Sequence, residues 1–187
     1  HHLRLEGFGD APAIRTTTHE VGEMIVDSTG DLWLCTVAGT PGTWRKIAGA
    51  TTAGAYHAIA PSRVYDSRLG EPAGNVGIMG NNTSRTVSVA DSRNLETGAV
   101  VTAGIVPAGA TAVSANIAVD GTVGSGFLTI NPGGDTEIRA AAINWSETGQ
   151  ILNNGLNLTL NADREVTVIC GGGGQTHVVI DVTGYYL

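Results

Sequence analysis

His177 and Asp181 are the two side chains whose types and proximity in sequence most invite acid–base chemistry. They fall on one face of the same alternating segment, and four positions of extended chain put their Cα atoms roughly 13 Å apart. They therefore form no dyad with each other, and a hydrolase needs nucleophile, base and orienting group within hydrogen-bond reach. The serine of Gly124-Ser125-Gly126 lacks the Gly-x-Ser-x-Gly spacing of a nucleophile elbow, and a strand pattern follows it where a helix is needed. Asp120, Asp135, Glu137 and Asp181 are carboxylates that a glycosidase could use in pairs, but no motif singles out two of them. No catalytic residue is assigned, and the chain is expected not to be an enzyme.

Metal and phosphate chemistry find no better footing. The five histidines are His1, His2, His19, His57 and His177, of which His1 and His2 read as a tag remnant; none of the others has a His or Cys at zinc-ligand spacing. The acidic turns at Asp27–Asp31 and Asp120–Gly121 carry no EF-hand-like ladder of oxygen ligands. Gly171–Gly174 could cradle a phosphate only at a helix N-terminus, whereas Thr176-His177-Val178-Val179 reads as a strand, so a hairpin connection is expected. No metal and no cofactor is expected.

Three groups of residues remain. Arg63, Asp66 and Arg68 lie in one strand pattern whose strict alternation puts Arg63 and Ser67 opposite Val64, Asp66 and Arg68. A partly buried Asp66 requires an Arg or a backbone donor beside it, so an ion pair that pins the strand is the expectation. Trp33 and Trp44 offer flat rings that could stack on sugars, although they are also the largest hydrophobes available to a core of about thirty residues. Trp145 closes the run Ala141, Ile143, Trp145, which favours the interior. The triplets at Asn82, Asn144 and Asn157 match the N-glycosylation pattern, but such matches arise easily in an Asn- and Thr-rich chain and are discounted.

The elements that must position these groups are strands. The 187 residues include 27 Gly and only 14% charged residues, against roughly 25% in an ordinary soluble protein. Between Thr111 and Asp120, Val113, Ala115, Ile117 and Val119 alternate with polar residues. Leu156, Leu158 and Leu160 do so again, then Val166, Val168 and Cys170, and finally Val178, Ile180 and Val182. The reading is all-β: a leading segment over 1–18, a small three-stranded unit over 19–48, a linker at 49–55, and an antiparallel sandwich or jelly-roll-like domain over 56–187. No helix longer than two turns is expected. Cys35 and Cys170 fall in different units. A net charge of −7 with no basic stretch argues against nucleic acid, and no apolar run is long enough for membrane insertion or opens the chain as a signal peptide.

Four ordered segments carry a resemblance: Pro61-Ser62-Arg63-Val64-Tyr65-Asp66-Ser67-Arg68, Val106–Val113, Gly126–Gly133 and Thr176–Tyr186. Together they resemble a β domain of secreted actinobacterial proteins, which accompanies cell-wall hydrolases and surface proteins and has no settled chemistry. Tyr65 stands where that family usually has an aliphatic residue, and it joins Trp33 and Trp44 as a candidate ligand contact. The segment Val21–Ile47, with its Gly30-Asp31 turn, Trp33 and Trp44, is similar to small β units of phage tail and head fibres and, in layout, to chitin-binding modules. These resemblances imply a virion-surface fibre or capsid decoration protein, a homotrimer that contacts a cell-surface polysaccharide and meets other virion proteins through its N-terminal segment. The alternative is a carbohydrate-binding accessory module of a secreted, extracellular cell-wall protein.

Overall fold

The computed structural model describes Gly9, residues 12–49 and residues 54–187. The tag reading, most of the leading segment and most of the linker at 49–55 lie outside the described residues. The chain divides into two compact units, residues 1–53 and residues 54–187.

In the first unit a short 3-10 turn (Pro12–Ile14) precedes β1 (Met24–Val26), β2 (Leu32–Val37) and β3 (Thr43–Ala48), which form one antiparallel sheet in that order. The β1–β2 turn is built by Asp27: its carboxylate accepts hydrogen bonds from Thr29 N and Oγ1, Asp31 N and Trp33 Nε1. An Asx turn of this kind replaces backbone partners that so short a loop cannot supply. Met24 pairs with Leu34 and Val26 with Leu32, placing these four on one face; Ile25, Trp33, Cys35, Trp44 and Lys46 share the other. Among the described residues only Pro12, His19, Asp27 and Cys35 are fully buried in this unit. Val21, Met24, Val37 and Ile47 are all exposed.

The second unit is a sandwich of two packed four-stranded antiparallel sheets. One sheet has the order β10 (Ile143–Trp145), β9 (Gly126–Pro132), β12 (Glu165–Gly171), β5 (Thr83–Ser88). The other has the order β11 (Leu152–Thr159), β8 (Ala112–Val123), β13 (Gln175–Tyr186), β4 (Tyr56–Asp66). A two-stranded ribbon of β6 (Ser92–Arg93) and β7 (Val100–Thr102) completes it. Val113, Ile117 and Val119 of β8, Val178, Ile180 and Val182 of β13, Leu128 of β9, and Val166 and Val168 of β12 meet in the interior with Trp145. The alternation of each strand thus becomes one half of a shared core. Among the described residues no helix is long and apolar enough to cross a membrane.

Two expectations are corrected here. Gly171–Gly174 is no hairpin, because β12 and β13 lie in different sheets. The glycines form an arch between the sheets: Gly172 and Gly173 have φ of 82° and 95°, and a Cβ on Gly174 would sit 2.6 Å from Ser125 O. Strict alternation also fails in β4. Tyr65 pairs with Ile180 and Arg63 with Asp181, so Val64 is an extra residue, a β-bulge. Val64 and Tyr65 are both buried as a result, and Arg63 comes to the same outward side as Asp66.

Candidate functional site

The bulge at Val64 assembles the charge cluster. Asp66 is 2% exposed, and its carboxylate accepts from Arg63 Nη1 at 2.6 Å and from Arg68 N, Nε and Nη2 at 3.0, 2.9 and 2.7 Å. Arg63 Nε reaches Asp181 at 2.5 Å and Arg68 Nη1 reaches Asp120 at 2.6 Å, so two arginines bridge three aspartates on β4, β8 and β13. Burial pushes the Asp66 carboxyl upward, but the Arg68 hydrogen bonds and the charges of Arg68 and Arg63 outweigh it, and the net shift is downward. Arg68 is held above its ordinary value chiefly by its hydrogen bond to Asp66. These groups pair with one another across the strands, which is the work of a structural clamp.

The same corner brings together a pair that sequence spacing cannot disclose. Ser67 Oγ lies 3.1 Å from His177 Nδ1, and His177 stands opposite Asp120 in the β13–β8 register. A serine, a histidine and a carboxylate are thus neighbours, but Ser67 is completely buried and its Oγ accepts Val178 N at 2.9 Å. An attacking oxygen must reach its substrate, and this one is enclosed and already bonded. Among the described residues no group of three or more His, Cys, Asp or Glu is arranged to hold a metal ion.

Tyr65 is corrected as a ligand contact. It is completely buried in the sandwich core, with its hydroxyl donating to Asn75 O at 2.6 Å and lying 3.2 Å from Arg85 Nη1. The bulge turns the ring inward and leaves no surface for a ligand. Trp33 and Trp44 are half-buried on one face of the small sheet. Trp33 Nε1 donates to Asp27 at 2.9 Å with Lys46 Nζ 5.6 Å from the ring centre; Trp44 Nε1 donates to Pro41 O at 2.7 Å and the ring meets His19 edge-on at 5.0 Å. Both indole N–H groups are used within the unit, and His19 in turn bonds Thr17 and Glu23.

A further region goes unmarked in the sequence patterns. The outward face of the β11-β8-β13-β4 sheet carries Asn157, Ser114 and Gly184 in one register row and Gly155, Asn116, Asp181 and Arg63 in the next. A shallow open depression of about 230 Å³ is lined here by Ser114, Ala115, Gly155, Leu156, Asn157 and Thr183. Beside it Tyr56, 48% exposed, packs against Tyr186 with ring centres 5.1 Å apart. The signal was the aromatic pair Tyr185-Tyr186 at one end of the domain and Tyr56 at the other, which meet only because the first and last sandwich strands pair.

Neither a scan against protein-family models nor a search of curated proteins returns a match to this chain.

Proposed function

We propose that this chain is a non-enzymatic, fibre-like structural and adhesion protein of a virion surface, in which the small unit joins three chains and the sandwich meets a bacterial cell-surface glycan. The observation that carries the reading is how few of the small unit's described residues are buried. Its fully buried residues among those described are Pro12, His19, Asp27 and Cys35, while Met24, at 45% exposed, shares one sheet face with Val26, Leu32 and Leu34. A unit of this size is stabilised when a second surface covers its apolar face, and identical copies around a symmetry axis supply that surface three times over. The enclosed Ser67 and the mutually paired arginines and aspartates support a structural rather than a catalytic reading of the chemically suggestive corner. Trp33 and Trp44 are half-buried, with Lys46 Nζ 5.6 Å from the Trp33 ring centre and His19 edge-on against Trp44, which weighs against the rival monomeric module that needs those rings as open platforms.

Light scattering on the purified chain tests the assembly. The expected mass is three times that of the 19.1 kDa chain, and Met24→Glu is expected to return it to one chain with its circular dichroism unchanged. A wild-type monomer overturns the reading and favours the accessory-module alternative.

A further inference from the structure

The sandwich carries a surface whose construction suits one class of ligand. The hydroxyl end of Tyr56 lies against Gly184: a Cβ there would sit 2.2 to 2.5 Å from the tyrosine's hydroxyl and ring atoms. Tyr186 supports the ring from beside, and the Tyr56 hydroxyl donates to Thr183 O at 3.4 Å. The ring is therefore held in place while nearly half exposed, and a preorganised aromatic surface loses little freedom when a ligand covers it.

The neighbouring depression has a mixed polar and apolar lining and is open at its floor. Gly155 meets no atom within 4 Å of where a Cβ would stand. Ser114 Oγ donates to Asn157 Oδ1 at 2.6 Å, which fixes the amide and leaves the Asn157 NH₂ without a protein partner among the described residues. Thr183 Oγ1 donates to Ser114 O at 3.2 Å and keeps its lone pairs for another donor. At about 230 Å³ the space falls below the roughly 300–1,000 Å³ of pockets for drug-sized ligands and suits a single ring that continues along an open face. Electrostatics narrow the choice further. The nearest charges in the adjoining row, Arg63 and Asp181, are already paired, and a chain of net charge −7 repels polyanions.

We propose that this end of the outward sheet face is a binding subsite for a neutral pyranoside, with the Tyr56 ring stacked on the sugar's apolar C–H face and Ser114, Asn157 and Thr183 exchanging hydrogen bonds with its hydroxyls. The site rests on the adhesion reading above and gives it a location and a ligand class. It also moves the sugar contact from the small unit's tryptophans to the sandwich.

The test uses the whole chain titrated with neutral chito-, cello- and galacto-oligosaccharides, with polygalacturonate as an acidic comparison, and in parallel with crude bacterial wall polysaccharide. Gly155→Gln fills the open floor at a position of ordinary φ, so its fold is expected to be intact by circular dichroism. Gly155→Gln and Tyr56→Ala are expected to weaken binding of a neutral oligosaccharide about tenfold or more, equivalent to about 1.4 kcal/mol, while Tyr56→Phe keeps the ring and the affinity. Wall polysaccharide that binds wild type and both variants equally overturns the subsite and leaves the adhesion reading standing. Binding of neither oligosaccharides nor wall polysaccharide by wild type overturns both, and preference for polygalacturonate overturns the neutral-ligand assignment.

Discussion

Replacing Asp66 by Asn probes whether the charge cluster is the clamp inferred for it. Asp66 is 2% exposed and receives four hydrogen bonds, three from Arg68 and one from Arg63. Removing one partner of a buried ion pair destabilises by about 3–5 kcal/mol because the other charge is left uncompensated. Two features reduce this: the Arg68 side chain is 41% exposed and can be rehydrated, and Arg63 and Arg68 keep Asp181 and Asp120 as partners. Asn also preserves one acceptor. The expected loss is therefore about 2–3 kcal/mol, a fall in Tm of about 10 °C for a unit of this size. Because the folded carboxyl is held below its ordinary value, its contribution is fully present above the unfolded pKa of about 3.9 and disappears as pH falls through the folded value. Thermal unfolding followed by circular dichroism at pH 7 and again at about pH 3 is expected to show a penalty that shrinks in acid. A loss under about 1 kcal/mol at neutral pH, or an equal loss at both, refutes the reasoning, since an exposed pair contributes no more than that.

Other perturbations read separate parts of the molecule. Tyr65→Phe removes a buried hydroxyl from Asn75 O and Arg85, so urea unfolding is expected to register about 1–2 kcal/mol while oligosaccharide affinity stays unchanged. The Asp27 carboxyl is lowered to about 2, first by its hydrogen bond from Thr29 and against the opposing effect of burial. The turn it caps, followed through the Trp33 indole N–H resonance, is therefore expected to persist until pH falls through about 2; its loss near the ordinary carboxylate range contradicts the assignment. Burial pushes the Cys170 thiol up to about 11, so thiol reagents at mildly alkaline pH are expected to modify it only after denaturant is added. Gly126→Ala would bring a Cβ within 2.4 Å of the Trp145 ring and 2.8 Å of Gly171 O, and the chemical midpoint is expected to fall by the equivalent of about 2–3 kcal/mol.

Much of the architecture is legible because burial imposes a period on sequence. Val113, Ala115, Ile117 and Val119 alternate in β8 and are buried in that alternation, and Ile143 and Trp145 enter the core as their spacing implies. The turns at Asp27–Asp31 and Gly39–Gly42 separate three short strands that the small unit does form. The ion pairing of Arg63, Asp66 and Arg68 follows from the simple need to satisfy a half-hidden carboxylate. Bulges and sheet membership are written less plainly. Nothing local in Arg63-Val64-Tyr65 marks the extra residue that sends Tyr65 inward, because the instruction resides in the pairing with Ile180 and Asp181, more than a hundred residues away. The glycines at 171–174 announce a change of direction but not whether the chain returns to its own sheet or arches to the other. Tyr56 is missed for the same reason: its value depends on Gly184 beneath it and on Ser114 and Asn157 beside it, which only the pairing of β4, β13, β8 and β11 brings together.

An adhesin built from three chains presents three glycan faces, and linked weak sites hold a polymer far more tightly than one site alone. Retention on immobilised bacterial wall polysaccharide, compared between the wild-type chain and Met24→Glu with its sandwich unaltered, measures this directly. The assembled chain is expected to bind at least about a hundredfold more tightly than the dissociated variant. A dissociated Met24→Glu chain that binds as tightly as the assembled wild type contradicts the claim that the small unit gathers chains so that the sandwich can adhere.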